Sequence, residues 1–173
     1  MGYYYPKDRI KITRSQKIAW LAGFIDGEGS FMLIRHGKSG ESNPYIEPLI
    51  TIPSTDRWVL EEILTILDIA INRKSQALIT NVVIRDIKHK PMYVLKISKL
   101  HDVYHLLRVL IPFLILKRER AELLFEYVRS RLTKTGTLYR IKKSFTTLNY
   151  SERELFIIDE IKRLNRRGVI SDL

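Results

Sequence analysis

Leu21 to Phe31 reads LAGFIDGEGSF, with three glycines and two acids at fixed offsets, closing one apolar segment and opening another. Upstream, Thr13 and Gln16 form a capping box, and Ile18, Trp20, Leu21, Phe24 and Ile25 follow at helical spacing. Gly27 and Gly29 are expected to stop this helix. Ala19, Ala22 and Gly23 predict a flat, small-residue surface along which a second helix approaches closely on a symmetry axis. At the helix end Glu28 follows Gly27, so a carboxylate and nearby carbonyls face one point. Two copies brought together supply a pair of oxygen-rich sites, which suits magnesium and in-line attack of water on phosphodiesters.

Working outward, Ser30–His36 is largely apolar, and the polar stretch 36–44 separates it from a second extended run, Tyr45–Ile52, predicting a hairpin. Asp56 is placed to cap a helix bearing Trp58, Val59, Ile63, Leu64 and Leu67. A second hairpin follows, Ala77–Ile87 and Met92–Ser98, turning around His89–Pro91. Leu100–Ile111 has helical periodicity, Pro112 interrupts it, and Leu116–Arg131 forms a further amphipathic helix. Residues 133–150 read as a basic, irregular loop, and Ser151 with Glu154 opens a C-terminal helix over 151–165. Residues 1–12 read as a basic N-terminal arm. The order predicts an α+β fold with one curved, four-stranded antiparallel sheet and C-terminal helices, in a single domain over 1–173 with no internal repeat.

Thirty Lys and Arg against nineteen Asp and Glu give a formal charge of +11, which predicts salt-dependent affinity for nucleic acid. The absence of cysteine excludes disulfides, thiolate metal sites and cysteine nucleophiles, so any metal sits on oxygen or imidazole. No apolar run reaches the ~18 residues of a membrane span, and the start lacks the apolar block of a signal peptide, so the expected location is intracellular. Pro6 argues against myristoylation at Gly2. His101 and His105 stand at i, i+4 but lack a third ligand, and read as helix surface rather than a zinc site.

LAGFIDGEGSF resembles the signature of the LAGLIDADG homing endonucleases, and the resemblance continues through the αββαββα order. Pro112–Lys117, PFLILK, looks like the family segment that carries a basic active-site residue. The resemblance implies that Glu28 is the metal ligand, helped by the Gly27 carbonyl, and that Lys117 organises water or stabilises charge at the scissile phosphate. Family members often carry Asp where this chain has Glu28. Ser54 is the best positional match for the polar residue that completes the site, with Arg57 as its alternative. Asp26 is assigned to the dimer interface with Ala19, Ala22 and Gly23, holding the turn or the paired helix through hydrogen bonds rather than ligating metal.

One motif per chain implies a homodimer cutting double-stranded DNA at a pseudo-palindromic target with Mg²⁺, calcium supporting binding without cleavage. The gene would lie in an intron or intein, in an archaeal cytoplasm, a mitochondrion or a chloroplast. An intron RNA maturase and a non-cleaving DNA-binding regulator are the alternatives on the same fold.

A two-stranded ribbon fits the major groove and presents alternate residues to base edges. With Phe31, Leu33, Ile50 and Ile52 facing the helices, the expected readers are Met32, Ile34, His36, Tyr45, Glu47 and Thr51 on the first hairpin and Asn81, Arg85 and Lys96 on the second. Lys38 and Asn43 sit at the first hairpin's tip, and Lys142 and Lys143 are expected to contact phosphates.

Overall fold

The computed structural model of the protein describes residues 12–37, 45–82, 91–141 and 149–166. Thr13 opens the first helix, α1 (Arg14–Glu28), with the expected reciprocal cap: Gln16 N donates to Thr13 Oγ1 at 3.2 Å, and Thr13 N donates to Gln16 Oε1 at 2.8 Å. Gly27 does not stop the helix. It runs on through Glu28, and Gly29 is the cap, its N–H donating to Ile25 O at 2.9 Å. A Cβ on Gly29 would lie 2.8 Å from Ile25 Cγ2 and 2.9 Å from Ile25 O, so only glycine fits where the chain turns into the sheet.

The remaining elements are β1 (Ser30–His36), β2 (Tyr45–Ser54), α2 (Arg57–Ile71), β3 (Leu78–Val82), β4 (Met92–Ile97), α3 (Leu100–Leu110), α4 (Arg118–Ile141) and α5 (Glu152–Leu164), with a 3₁₀ turn, Ile111–Phe113, after α3. The fold is α+β. Its antiparallel sheet has the order β1-β2-β4-β3. Phe31, Ile46, Ile50, Ile52, Leu95 and Ile97 point from one face into a core completed by the helices, through Leu21, Ile25, Leu60, Leu67, Leu106 and Leu124 among others.

On the opposite face the register aligns Ser30, Thr51, Lys96 and Leu78 in one row, with Met32 against Leu49, Ile34 against Glu47 and His36 against Tyr45. Every described residue of that face is half-buried or exposed. Among the described residues, none on that face belongs to the helix-packed core.

Three side chains from the C-terminal half seal sheet edges that would otherwise present unpaired backbone. β4 pairs with β2 over Ile50–Ser54. Beyond that overlap, Tyr127 Oη donates to Ile46 O at 3.1 Å and Tyr150 Oη accepts from Ile46 N at 3.0 Å. Burial pushes the Tyr127 hydroxyl well above its ordinary value and keeps it a neutral donor. Asn165 Nδ2 donates to Phe31 O of β1 at 2.8 Å.

Several expectations need correction. Asp56 stands at the N-cap of α2, but its side chain makes no capping bond; Asp56 N donates to Ser54 Oγ at 3.0 Å instead. The segment 133–150 is not irregular throughout, because α4 continues to Ile141. Leu132 still packs on the core, Thr133 Oγ1 bonds back to Arg129 O at 3.0 Å, and Lys134 pairs with the buried Glu154. The capping box of Ser151 and Glu154 forms as expected.

Candidate functional site

The LAGFIDGEGSF segment brings two acids to the end of α1 and gives them opposite surroundings. At 100° per residue, Asp26 falls with Ile18, Leu21, Ala22 and Ile25 on the buried side, while Ala19, Trp20, Gly23, Gly27 and Glu28 remain in solvent. Asp26, 9% exposed, accepts three backbone hydrogen bonds from the turn before α4: Ile115 N and Leu116 N to Oδ2 at 2.7 and 3.3 Å, and Lys117 N to Oδ1 at 3.0 Å. A carboxylate facing the first N–H groups of a helix is favoured by both hydrogen bonding and the macrodipole.

The Lys117 side chain returns in the other direction. Its Nζ donates to Ile25 O at 2.9 Å and to Gly27 O at 3.1 Å, placing an ammonium on the carbonyl end of α1. Burial pushes the Lys117 amine below its ordinary value; Asp26 opposes this, Arg120 reinforces it and Glu28 opposes it again. Glu28 is exposed and has no partner among the described residues. The corner therefore presents a free carboxylate, a shared carbonyl and an ammonium.

Among the described residues no three or more His, Asp or Glu are grouped so as to hold a metal ion. One chain thus offers a hard cation the Glu28 carboxylate and the Gly27 carbonyl. This fits magnesium in kind, since that ion is commonly held by one or two carboxylates together with substrate phosphates and water.

The predicted site residues divide accordingly. Glu28, Gly27 and Lys117 come together. Ser54 pairs in register with Tyr93 and spends its hydroxyl on the turn into α2, and Arg57 donates to Glu61 at 2.9 Å and lies over the Tyr93 ring. Neither contacts Glu28 or Lys117 among the described interactions. Of the four residues assigned to a helix–helix interface, Ala19 and Gly23 are exposed, and a Cβ on Gly23 would meet nothing within 4 Å. Ala22 is corrected, being fully buried in its own core, while Asp26 holds a turn through hydrogen bonds, that turn being the 115–117 segment of its own chain.

Met32, Ile34, His36, Tyr45, Glu47, Thr51 and Lys96 lie on the helix-free face, as expected. Asn81 does not, because Leu78 and not Asn81 shares the row of Lys96; Asn81 pairs with Tyr93 on the other face. At the far end of the first hairpin, His36 Nε2 lies 2.8 Å from Glu47 Oε2 and the His36 ring stacks on Tyr45. Lys38, Asn43, Arg85, Lys142 and Lys143 lie outside the described residues. No residue pattern marks Ile25 O as the acceptor for Lys117 or the turn at 115–117 as the partner of Asp26, because those partners are backbone atoms about ninety residues away.

A model of the LAGLIDADG endonuclease family matches residues 21–111. Among solved structures, the homing endonuclease I-CvuI in complex with its target in the presence of calcium is 20% identical, with 92% of this chain and 88% of that chain covered and a TM-score of 0.62. The archaeal intron-encoded homing endonuclease I-Vdi141I complexed with DNA is 18% identical, with 93% and 91% covered and a TM-score of 0.63. I-CvuI in the presence of magnesium with uncleaved DNA is 18% identical, with 86% and 96% covered and a TM-score of 0.55. These likenesses show a shared fold. A comparison with curated proteins finds no match.

Proposed function

We propose that this chain, which belongs to the LAGLIDADG endonuclease family, is a single-domain, site-specific DNA endonuclease, encoded by an intron or intein, that cuts both strands of a pseudo-palindromic target as a homodimer with Mg²⁺. The observation that carries this is the corner at the end of α1, where the Lys117 ammonium sits on the carbonyl of Gly27, the residue before the exposed Glu28. β1 begins at Ser30, two residues beyond Glu28, so a duplex lying on the helix-free face passes this corner.

Each chain has one Glu28, and a double-strand cut needs two such corners. The exposed edge of α1, with open space at Gly23 and Gly27, lets a second α1 approach closely. The Glu28 carboxylate and the Gly27 carbonyl would hold the cation, which when bound neutralises phosphate charge and acidifies water. Lys117, anchored on the same helix end, holds a proton-rich positive group where charge develops on the scissile phosphate. Met32, Ile34, His36, Tyr45, Glu47, Thr51 and Lys96 supply base contacts, while the +11 charge acts on the backbone.

The test is to incubate the purified protein with DNA of the uninterrupted target allele, with Mg²⁺, with Ca²⁺ and with chelator. Discrete double-strand products with Mg²⁺ only, and a retained complex with Ca²⁺, are expected. A complex with DNA that is never cut under any of the three conditions overturns the nuclease in favour of a binding protein, and binding confined to intron RNA favours a maturase.

A further inference from the structure

We propose that Asp26 is a positioning residue: its buried carboxylate fixes the 115–117 turn against the end of α1, delivers the Lys117 ammonium beside Glu28, and affects DNA cleavage only through Lys117. The cleavage part rests on the function proposed above; the placement of Lys117 does not.

The turn has little else to hold it. Leu114 is buried at 2% exposure, but Ile115 and Leu116 are 83% and 77% exposed, so their side chains contribute no packing within the chain. Asp26 supplies what packing does not, by accepting the N–H groups of all three residues from Ile115 to Lys117. Lys117 O then accepts from Ala121 N at 3.0 Å and starts the hydrogen-bond ladder of α4, so the clamp also sets where that helix begins.

With its main chain held by Asp26, Lys117 reaches Ile25 O and Gly27 O, the carbonyls of the residues on either side of Asp26. The clasp is closed: an acid of α1 holds the backbone of Lys117, and the amine of Lys117 holds the backbone of α1. A lysine side chain is a flexible four-carbon stem that does not place its own charge. Here the fixed main chain shortens the search.

Asp26→Asn keeps one acceptor oxygen but turns a donor toward backbone N–H groups, so the turn loses its hold. Asp26→Glu keeps charge and acceptors on a longer stem. The test pre-binds the target with calcium, starts a single turnover with Mg²⁺, and compares wild type, Asp26→Asn, Asp26→Glu, Lys117→Met and the Asp26→Asn/Lys117→Met double variant. Leu124→Ala, a core change in α4, controls for lost stability. Displacing a reacting group by about 1 Å costs roughly 100-fold in rate, so Asp26→Asn should lower the cleavage rate constant by about 10- to 100-fold with Kd unchanged within about twofold. Asp26→Glu should recover part of the rate, and Asp26→Asn should cost nothing further once Lys117 is Met.

The second readout needs no cleavage. Acetylation of Lys117 Nζ and amide exchange at residues 115–117, followed by mass spectrometry, should both accelerate in Asp26→Asn, while other lysines and Leu124→Ala keep wild-type rates at these positions. Losses that multiply in the double variant, or an equal rate loss in Leu124→Ala, overturn the proposal. So does unchanged Lys117 reactivity in Asp26→Asn, even where the wild type cuts DNA. If the wild type cuts nothing but Lys117 reactivity rises in Asp26→Asn, the positioning stands and the nuclease assignment falls.

Discussion

Asp26 and Glu154 are both acids withdrawn from water, 9% and 1% exposed, and both carboxylates lie at the start of a helix, Asp26 reaching from the end of α1 to the turn before α4 and Glu154 in the first turn of α5, yet their partners are of different kinds. Asp26 is held by three backbone N–H groups. Glu154 is held mainly by side chains: Ser130 Oγ donates at 2.9 Å, Lys134 forms an ion pair, Arg131 lies 3.8 Å away, and Ser151 adds its N–H at 2.8 Å and hydroxyl at 3.1 Å. The side chains around Glu154 join α4 to α5 within the chain. Beside Asp26, Ile115, Leu116 and Glu28 all face solvent instead. One corner is closed as packing, and the other is left open for something outside the chain.

The largest effect expected from this contrast is chemical and sits at the open corner. Glu28→Gln keeps shape and loses charge; removing a group that acts on the transition state costs about 10²- to 10³-fold in rate, so single-turnover cleavage should fall at least that far. Calcium-dependent binding and the melting temperature should stay as in wild type. A Gln variant that cuts at the wild-type rate breaks the contrast, because the metal then sits elsewhere.

At the closed corner the expected loss is stability instead. Glu154→Ala strips a buried partner from Lys134 and should cost about 3 kcal/mol in urea unfolding, with cleavage intact well below the melting temperature. The same group gives a pH signature. Burial raises the Glu154 carboxyl, but the bonds from Lys134, Ser151 and Ser130 together outweigh it and leave it below its ordinary value. A depressed folded value means stability that is fully present above the unfolded carboxyl pKa and lost as pH falls through the folded one. The stability gap between wild type and Glu154→Gln should therefore narrow on acidification, and a gap that widens contradicts the assignment.

Smaller effects sharpen the comparison. Tyr127→Phe removes the donor to Ile46 O and should cost about 1 kcal/mol by thermal melting, without altering DNA binding. Gly23→Ala should be smaller still and of mixed sign. With open space for the methyl group, it should steady α1 by up to about 1 kcal/mol, while weakening self-association in sedimentation. If association is unchanged, the exposed edge of α1 is not where a second chain sits.

Much of this molecule was legible in its residues. The capping boxes at Thr13 and Ser151 and the strand at Ser30–His36 followed from local pattern. Where expectation failed, the deciding quantity was angular or long-range. Ala22 and Gly23 are neighbours in sequence, but the 100° step of the helix sends one into the core and leaves the other in water. Asn81 was assigned to the wrong face because strand parity depends on the partner strand, and the pairing of Leu78 with Lys96 sets it.

Side-chain chemistry, apolar period and turn residues are carried locally by the chain, so they specify the elements and the acids at the end of α1 without reference to anything distant. What Asp26 does could emerge only on folding. Its partners are N–H groups that every residue but proline possesses, from a turn 89 to 91 positions away, and no residue type marks a backbone donor in advance.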